Sequence, residues 1–181
     1  MILAMTSANF VTLIRFCFIP LLIYVLTHQW FYMAVGVLIF SGLSDLLDGY
    51  LARRYNQITK LGMVLDPAAD KLLLMSVYVY FLKEGLPMWF VLFTFFKDFS
   101  LPVGVLALVF YDKKALTSAA WIGKLSAGAN LLLALFLCFA QSMIFLKEFI
   151  PLSVSVVFGT SLLSFFFYSY RWFRLFHGES V

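Results

Sequence analysis

Charge is what this sequence has least of: 12% of its 181 residues are Asp, Glu, Lys or Arg, while 64% are hydrophobic. A soluble domain carries roughly twice that charge, and folding this chain in water would leave most of its apolar area wet. Cysteine and histidine are nearly missing, with two of each. Cys17 and Cys138 fall inside apolar runs, too isolated for a disulfide framework or a zinc site, and read as packing residues. His28 in a loop and His177 in the C-terminal tail read as solvated surface. Period-two alternation is also absent, which excludes a β-barrel. The first nine residues contain no Lys or Arg, so the start does not read as a cleaved signal peptide and is expected to be retained.

What is present is a series of long apolar runs, at 10–27, 31–52, 61–82, 88–110, 118–140 and 150–173. Each is near the ~20 residues needed to cross the hydrocarbon core. They nearly fill the chain, so the expected fold is a single all-α integral membrane domain over 1–181, a six-transmembrane-helix bundle with short connections. Lys and Arg in those connections set its orientation. Arg53, Arg54 and Lys60 follow the second run, Lys113 and Lys114 the fourth, and Arg171 and Arg174 end the last, whereas Lys83 and Lys147 lie on the other side. Both termini are therefore expected in the cytoplasm. The net charge of +4 falls mostly on that face, where it suits anionic lipid better than nucleic acid.

One stretch breaks the apolar pattern. Residues 45–70 hold four of the nine acidic residues of the chain, and carboxylates in apolar helices point to function. Asp45 and Asp48 share a helix face at i, i+3, and Asp66 and Asp70 share one at i, i+4. Ser41, Gly42, Ser44, Gly49, Ala52 and Gly62 keep the neighbouring surface thin. If the chain reverses near Gln57, antiparallel helices bring Asp48 level with Asp66 and Asp45 level with Asp70. Such a cluster is self-repelling unless neutralised. Ion pairs with Arg53, Arg54, Lys60 and Lys71 would neutralise it one acid at a time. Four converging carboxylates are better served by divalent cations, and oxygen-only ligation favours Mg²⁺, Mn²⁺ or Ca²⁺ over zinc. Two such ions suit phosphoryl chemistry.

The pattern Asp-x2-Asp-Gly-x2-Ala-Arg-x8-Gly-x3-Asp-x3-Asp, at Asp45, Asp48, Gly49, Ala52, Arg53, Gly62, Asp66 and Asp70, resembles the signature of the CDP-alcohol phosphatidyltransferase family. The opening N-x2-T-L-x-R-x4-P, from Asn9 through Thr12 and Arg15 to Pro20, is similar to its phosphatidylglycerophosphate synthase branch. The resemblance implies CDP-diacylglycerol as donor, glycerol 3-phosphate as acceptor and CMP as leaving group, with Mg²⁺ or Mn²⁺, two ions, as cofactor. It further implies Asp45, Asp48 and Asp66 as metal ligands, and Asp70 as the base on or near the metal. Gly49, Ala52 and Gly62 would border the cytidine diphosphate, Arg53 would offset pyrophosphate charge, and the chain would form a homodimer.

Beyond about residue 75 the match is looser. Lys97 and Asp98 lie midway along the fourth run, where adjacent positions diverge on a helix and need separate partners. The phosphatidylglycerophosphate synthases carry Arg-Glu there, and the related cardiolipin synthases Arg-Asp. Gly123, Lys124 and Ser126 resemble the family's Gly-Lys element, although its following Lys-Thr is missing. Lys97 and Lys124 are the expected acceptor-binding residues, their two ammonium groups converging on a phosphate. Asn130 is placed to hydrogen-bond another helix. Two other functions stay open: a cardiolipin synthase using phosphatidylglycerol as acceptor, and, from another class, a divalent-cation channel or transporter.

Overall fold

In the computed structural model, residues 7–55, 62–110 and 121–176 are described, with side chains described within 17–44, 69–100, 121–171 and 173–174. Among them there is no strand. Six long helices, α1 (Ser7–Thr27), α2 (Phe31–Tyr55), α3 (Gly62–Phe81), α4 (Met88–Phe110), α5 (Trp121–Ala140) and α7 (Ile150–Phe176), are joined by a 3-10 turn at Leu82–Glu84 and one short helix, α6 (Ile144–Lys147). The six apolar runs correspond one to one with the six long helices. α1 continues through Pro20, a position where neighbours in an apolar bundle can re-satisfy the freed carbonyl.

Two tight turns define one end of the bundle. After α1, Gln29 adopts φ 60°, and the amides of Gln29 and Trp30 bond back to the carbonyls of Leu26 (2.9 Å) and Val25 (3.0 Å). After α3, Gly85 adopts φ 95°, and the amides of Gly85 and Leu86 reach Leu82 (3.3 Å) and Phe81 (3.0 Å). Both turns end a helix through a left-handed residue, and Pro87 then forbids its continuation.

Ring contacts fix the helix directions. Phe31 at the start of α2 lies 6.5 Å from both Tyr80 and Phe81 at the end of α3, so those helices are antiparallel. Tyr78 of α3 meets Phe90 of α4 at 5.5 Å, and Tyr32 of α2 meets Phe139 of α5 at 6.2 Å. α1 packs on α2 and α3, α5 on α2, α3 and α7, and α4 on α3 and α7. One end, called distal here, therefore holds the connections 28–30, 82–87 and 141–149. The opposite end gathers the close of α2, α4 and α7 with the start of α1, α3 and α5.

The apolar core lies toward the distal end. Leu22 and Leu26 of α1, Val77 and Phe81 of α3, Phe90 of α4, and Leu133 and Leu137 of α5 are buried together. Outside it, large apolar side chains such as Phe96, Leu132, Leu163 and Phe166 are exposed, as expected where the surroundings are hydrocarbon. Trp121–Ala140 and Ile150–Arg171 are long and apolar enough to cross a membrane, and Cys17–Thr27 and Phe31–Ser44 are shorter apolar segments.

Candidate active site

The acidic motif falls on the end opposite the turns. Asp45, Asp48, Gly49, Ala52 and Arg53 occupy the last part of α2, and Gly62, Asp66 and Asp70 the first turns of α3. With Phe31 level with Phe81, a rise of about 1.5 Å per residue puts Asp45 and Asp48 about 21 and 26 Å from that level along α2. The same rise puts Asp70 and Asp66 about 16 and 22 Å from it along α3. All four positions thus lie in a band about 10 Å deep. Side chains at 45, 48, 49, 52, 53, 62 and 66 lie outside the described residues. That of Asp70 is half-buried, beside fully buried Ala69. Among the described residues no three metal-ligating side chains cluster. The donor chemistry at these positions, four carboxylates with no His or Cys in 45–70, fits hard divalent cations.

Deeper in the bundle the structure builds a polar network that the sequence only partly announced. Lys97 of α4 is 4% exposed. Its ammonium donates to Ser126 Oγ of α5 at 2.9 Å and Ser161 Oγ of α7 at 3.2 Å, and pairs with Asp98 Oδ1 at 3.5 Å. Adjacent positions do diverge on the helix, and Lys97 finds its separate partners, yet its flexible stem also reaches back to the Asp98 carboxylate. Asn130 Nδ2 donates to the Ser126 carbonyl at 2.7 Å and Ser161 Oγ at 3.3 Å. Tyr78 of α3 donates to the Asn130 carbonyl at 2.9 Å and lies 3.1 Å from its Oδ1. Lys71, next to Asp70, donates to the Asp98 carbonyl at 2.6 Å. Four helices are thereby tied together through buried polar groups, each with a partner, as a low-dielectric interior requires.

Lys124 has different surroundings. It is exposed near the start of α5, with Nζ 5.7 Å from the Trp121 ring centroid. Lys97 and Lys124 therefore share no partner among the described residues: Lys97 reaches Ser126, two positions on and round the helix from Lys124. Gly123 faces Tyr168 of α7, whose hydroxyl occupies the space a Cβ would take. Ser161 and Tyr78 were not singled out by sequence. The available signal was a stripe on α7, Ser161, Ser164, Tyr168 and Arg171, at i, i+3, i+7 and i+10.

Comparison with known proteins bears on this site. The sequence profile of the CDP-alcohol phosphatidyltransferases matches residues 5–166. The chain belongs to that family. A Mycobacterium tuberculosis protein with a provisional cardiolipin synthase name is 36% identical over 125 residues, 66% of this chain and 58% of its own length. A Pseudomonas fluorescens CDP-diacylglycerol–glycerol-3-phosphate 3-phosphatidyltransferase is 41% identical over 91 residues, 49% of this chain and 47% of that protein. The Streptomyces coelicolor cardiolipin synthase (CMP-forming) is 41% identical over 95 residues, covering 49% of this chain and 44% of the relative. The chain thus spans between two fifths and three fifths of the length of these relatives.

Proposed function

We propose that this CDP-alcohol phosphatidyltransferase moves a phosphatidyl group from CDP-diacylglycerol to glycerol 3-phosphate. The observation that carries the reading is that α2 and α3 run antiparallel, an arrangement in which helical rise would return the four motif positions to one shallow band. In this reading the six long helices cross the bilayer. The Lys and Arg bias puts both termini and the site on the cytoplasmic side, where soluble CMP can leave.

Each residue then has a task. Asp45, Asp48 and Asp66, with Asp70, would hold Mg²⁺ or Mn²⁺. When bound, two such ions supply charge neutralisation and stabilise the attacking and leaving oxygens of an in-line displacement. Gly49, Ala52 and Gly62 leave room for the cytidine diphosphate beside the backbone, and Arg53 balances its pyrophosphate. Asp70 takes the proton of the acceptor hydroxyl. The freed oxygen bonds to the phosphorus that carries diacylglycerol, and the bond from that phosphorus to the CMP oxygen breaks. Lys124, exposed near the start of α5, meets the acceptor phosphate, and Lys97 contributes a fixed positive charge from within the bundle.

A second reading, phosphatidylglycerol as acceptor and cardiolipin as product, is favoured by the Lys97–Asp98 ion pair and by relatives named cardiolipin synthase. The test is incubation of purified protein with CDP-diacylglycerol, Mg²⁺ and both acceptors in competition, with mass analysis of the lipid product and measurement of CMP. Phosphatidylglycerophosphate is the expected product. Cardiolipin alone would move the acceptor to the second reading, and cation flux without CMP release would support a channel.

A further inference from the structure

The connection between α5 and α7, residues 141–149, is unlike a loop made for water. It reads QSMIFLKEF, in which Lys147 and Glu148 are the only charges and cancel each other. Ile144 is 88% exposed and Phe145 69% exposed, and Met143 and Phe149 are exposed with them. Phe145 and Phe149 hold their rings 5.3 Å apart. Phe149 in turn stands at the head of α7, where the amide of Ser153 bonds to its carbonyl at 3.0 Å. Helical repeat puts Phe149, Leu152, Val156 and Leu163 on one stripe, and all four are exposed. The outward apolar face of α7, one of the two helices long and apolar enough to cross a membrane, thus runs unbroken into α6.

Backbone and neighbours fit the same setting. The amides of Ser142, Met143, Leu146 and Phe149 bond to the carbonyls of Phe139 (3.0 Å), Ala140 (3.3 Å), Met143 (3.1 Å) and Leu146 (3.1 Å). A segment that satisfies its own amides can enter the boundary of the hydrocarbon, where an open loop cannot. Ser142 shares a groove of about 430 Å³ with Trp30, Tyr32 and Met33, so these exposed side chains stand at the same height. Trp and Tyr are the residues that settle at headgroup level.

We propose that the 141–149 connection is an interfacial anchor whose partner is the lipid leaflet at the distal end. Ile144 and Phe145 insert below the headgroups, and Lys147 and Glu148 stay among them. Lipid is the occupant because the exposed stripe that leads to Phe145 already belongs to a membrane span. With charges that cancel, apolar burial drives the insertion, which is therefore indifferent to lipid charge. The proposal rests on α5 and α7 as membrane spans and not on the transfer reaction, so a failed transferase assay leaves it standing.

The test places a nitroxide on the full chain in lipid bilayers, through Ile144→Cys, Phe145→Cys or Lys147→Cys, each combined with Cys17→Ala. Cys138 is fully buried and takes no label. Collisions with oxygen, which concentrates in hydrocarbon, and with a water-soluble nickel chelate report the depth of each label. Labels at positions 144 and 145 should lie about 5–10 Å into the boundary between headgroups and acyl chains, and the label at 147 at the level of the headgroups. Phosphatidylcholine and phosphatidylglycerol bilayers should give the same depths. Ile144 and Phe145 are both exposed, so either variant suffices if the other fails to fold. Readier access of the chelate than of oxygen at 144 and 145 would put the segment in water and overturn the proposal. Exclusion of both reagents, the outcome expected if a second copy of the chain covers the segment, would overturn it too, as would insertion in anionic bilayers alone.

Discussion

Replacing Lys97 and replacing Asp98 should have very different consequences, although the two side chains form one ion pair. Lys97 is 4% exposed and Asp98 19% exposed, with 3.5 Å between Nζ and Oδ1. In Lys97→Met the buried charge is gone and the unbranched stem is kept. Ser126 Oγ and Ser161 Oγ, already 3.3 Å apart, can bond to each other, and the partly exposed Asp98 retains access to its surroundings. Removing one partner of a buried pair is costly because of the charge left behind; here that charge is the less buried Asp98, next to the Lys71 ammonium that already reaches its carbonyl, so a loss of only about 1 kcal/mol is expected. In Asp98→Leu the ammonium stays buried without its counter-ion. Breaking a buried pair from one side is destabilising by about 3–5 kcal/mol. The two serines still solvate Lys97 and Asp98 is partly exposed, which lowers the expectation to roughly 2–3 kcal/mol. Denaturant titration of both variants in one detergent, followed by far-UV circular dichroism, measures the difference. The reasoning is refuted if Asp98→Leu is as stable as the parent chain, or if Lys97→Met is the more damaged of the two.

Asp70→Asn should lower turnover by about 10²–10⁴-fold, the usual loss on removing a general base, while CDP-diacylglycerol binding measured by calorimetry persists; near-normal turnover would refute the assignment. Activity should vanish with chelator and return with Mg²⁺ or Mn²⁺, and Asp45→Ala, Asp48→Ala and Asp66→Ala should each weaken metal dependence and donor affinity together. Full activity in chelator would remove the metal from the mechanism. A cysteine at position 84 should be labelled only from outside the cell, and labelling from the cytoplasm alone would invert the topology. Gln29→Gly should raise stability by up to about 1 kcal/mol, because glycine adopts the left-handed conformation at that turn without steric penalty. A thermal-shift measurement showing a loss would contradict the role assigned to the turn.

Much of this arrangement was legible in the sequence because lipid imposes a simple rule. A chain that must satisfy its backbone inside hydrocarbon forms long helices, and all six apolar runs match long helices to within a few residues at each end. The same rule underlies the expectation for the motif, since two carboxylates before a short reversal and two after it return to one depth in any antiparallel pair; the side chains of Asp45, Asp48 and Asp66 lie outside the described residues. The turn at Leu82–Glu84 and α6 were not foreseen, being too short to carry a periodic signal. The polar network was less visible still. Asn130 stood out as an amide in an apolar run and Ser126 as part of the Gly-Lys element, but Ser161 is a small residue of a kind any membrane helix contains, and Tyr78 sits among other aromatics. Their partners on other helices lie 29 to 64 positions apart in the chain, and only the folded bundle makes them neighbours.

That network also explains how α4, α5 and α7 can keep one mutual arrangement. Between helices in lipid, apolar contact gives little preference for one neighbour over another, because acyl chains are equally apolar. The buried residues toward the distal end fill space well, but Leu or Val packed on lipid would be nearly as content. Ser126, Asn130 and Ser161 differ, since each would leave a polar group unmatched if α5 and α7 turned or slid by one residue. Near the motif end, Gly123 adds a second constraint by accepting the Tyr168 ring against its backbone. α7 is thus held at two heights, by hydroxyl and amide bonds at Ser161 and by shape at Tyr168. Arg171, on the same face of α7 as Ser161 and Tyr168, is carried in register from those two fixed points.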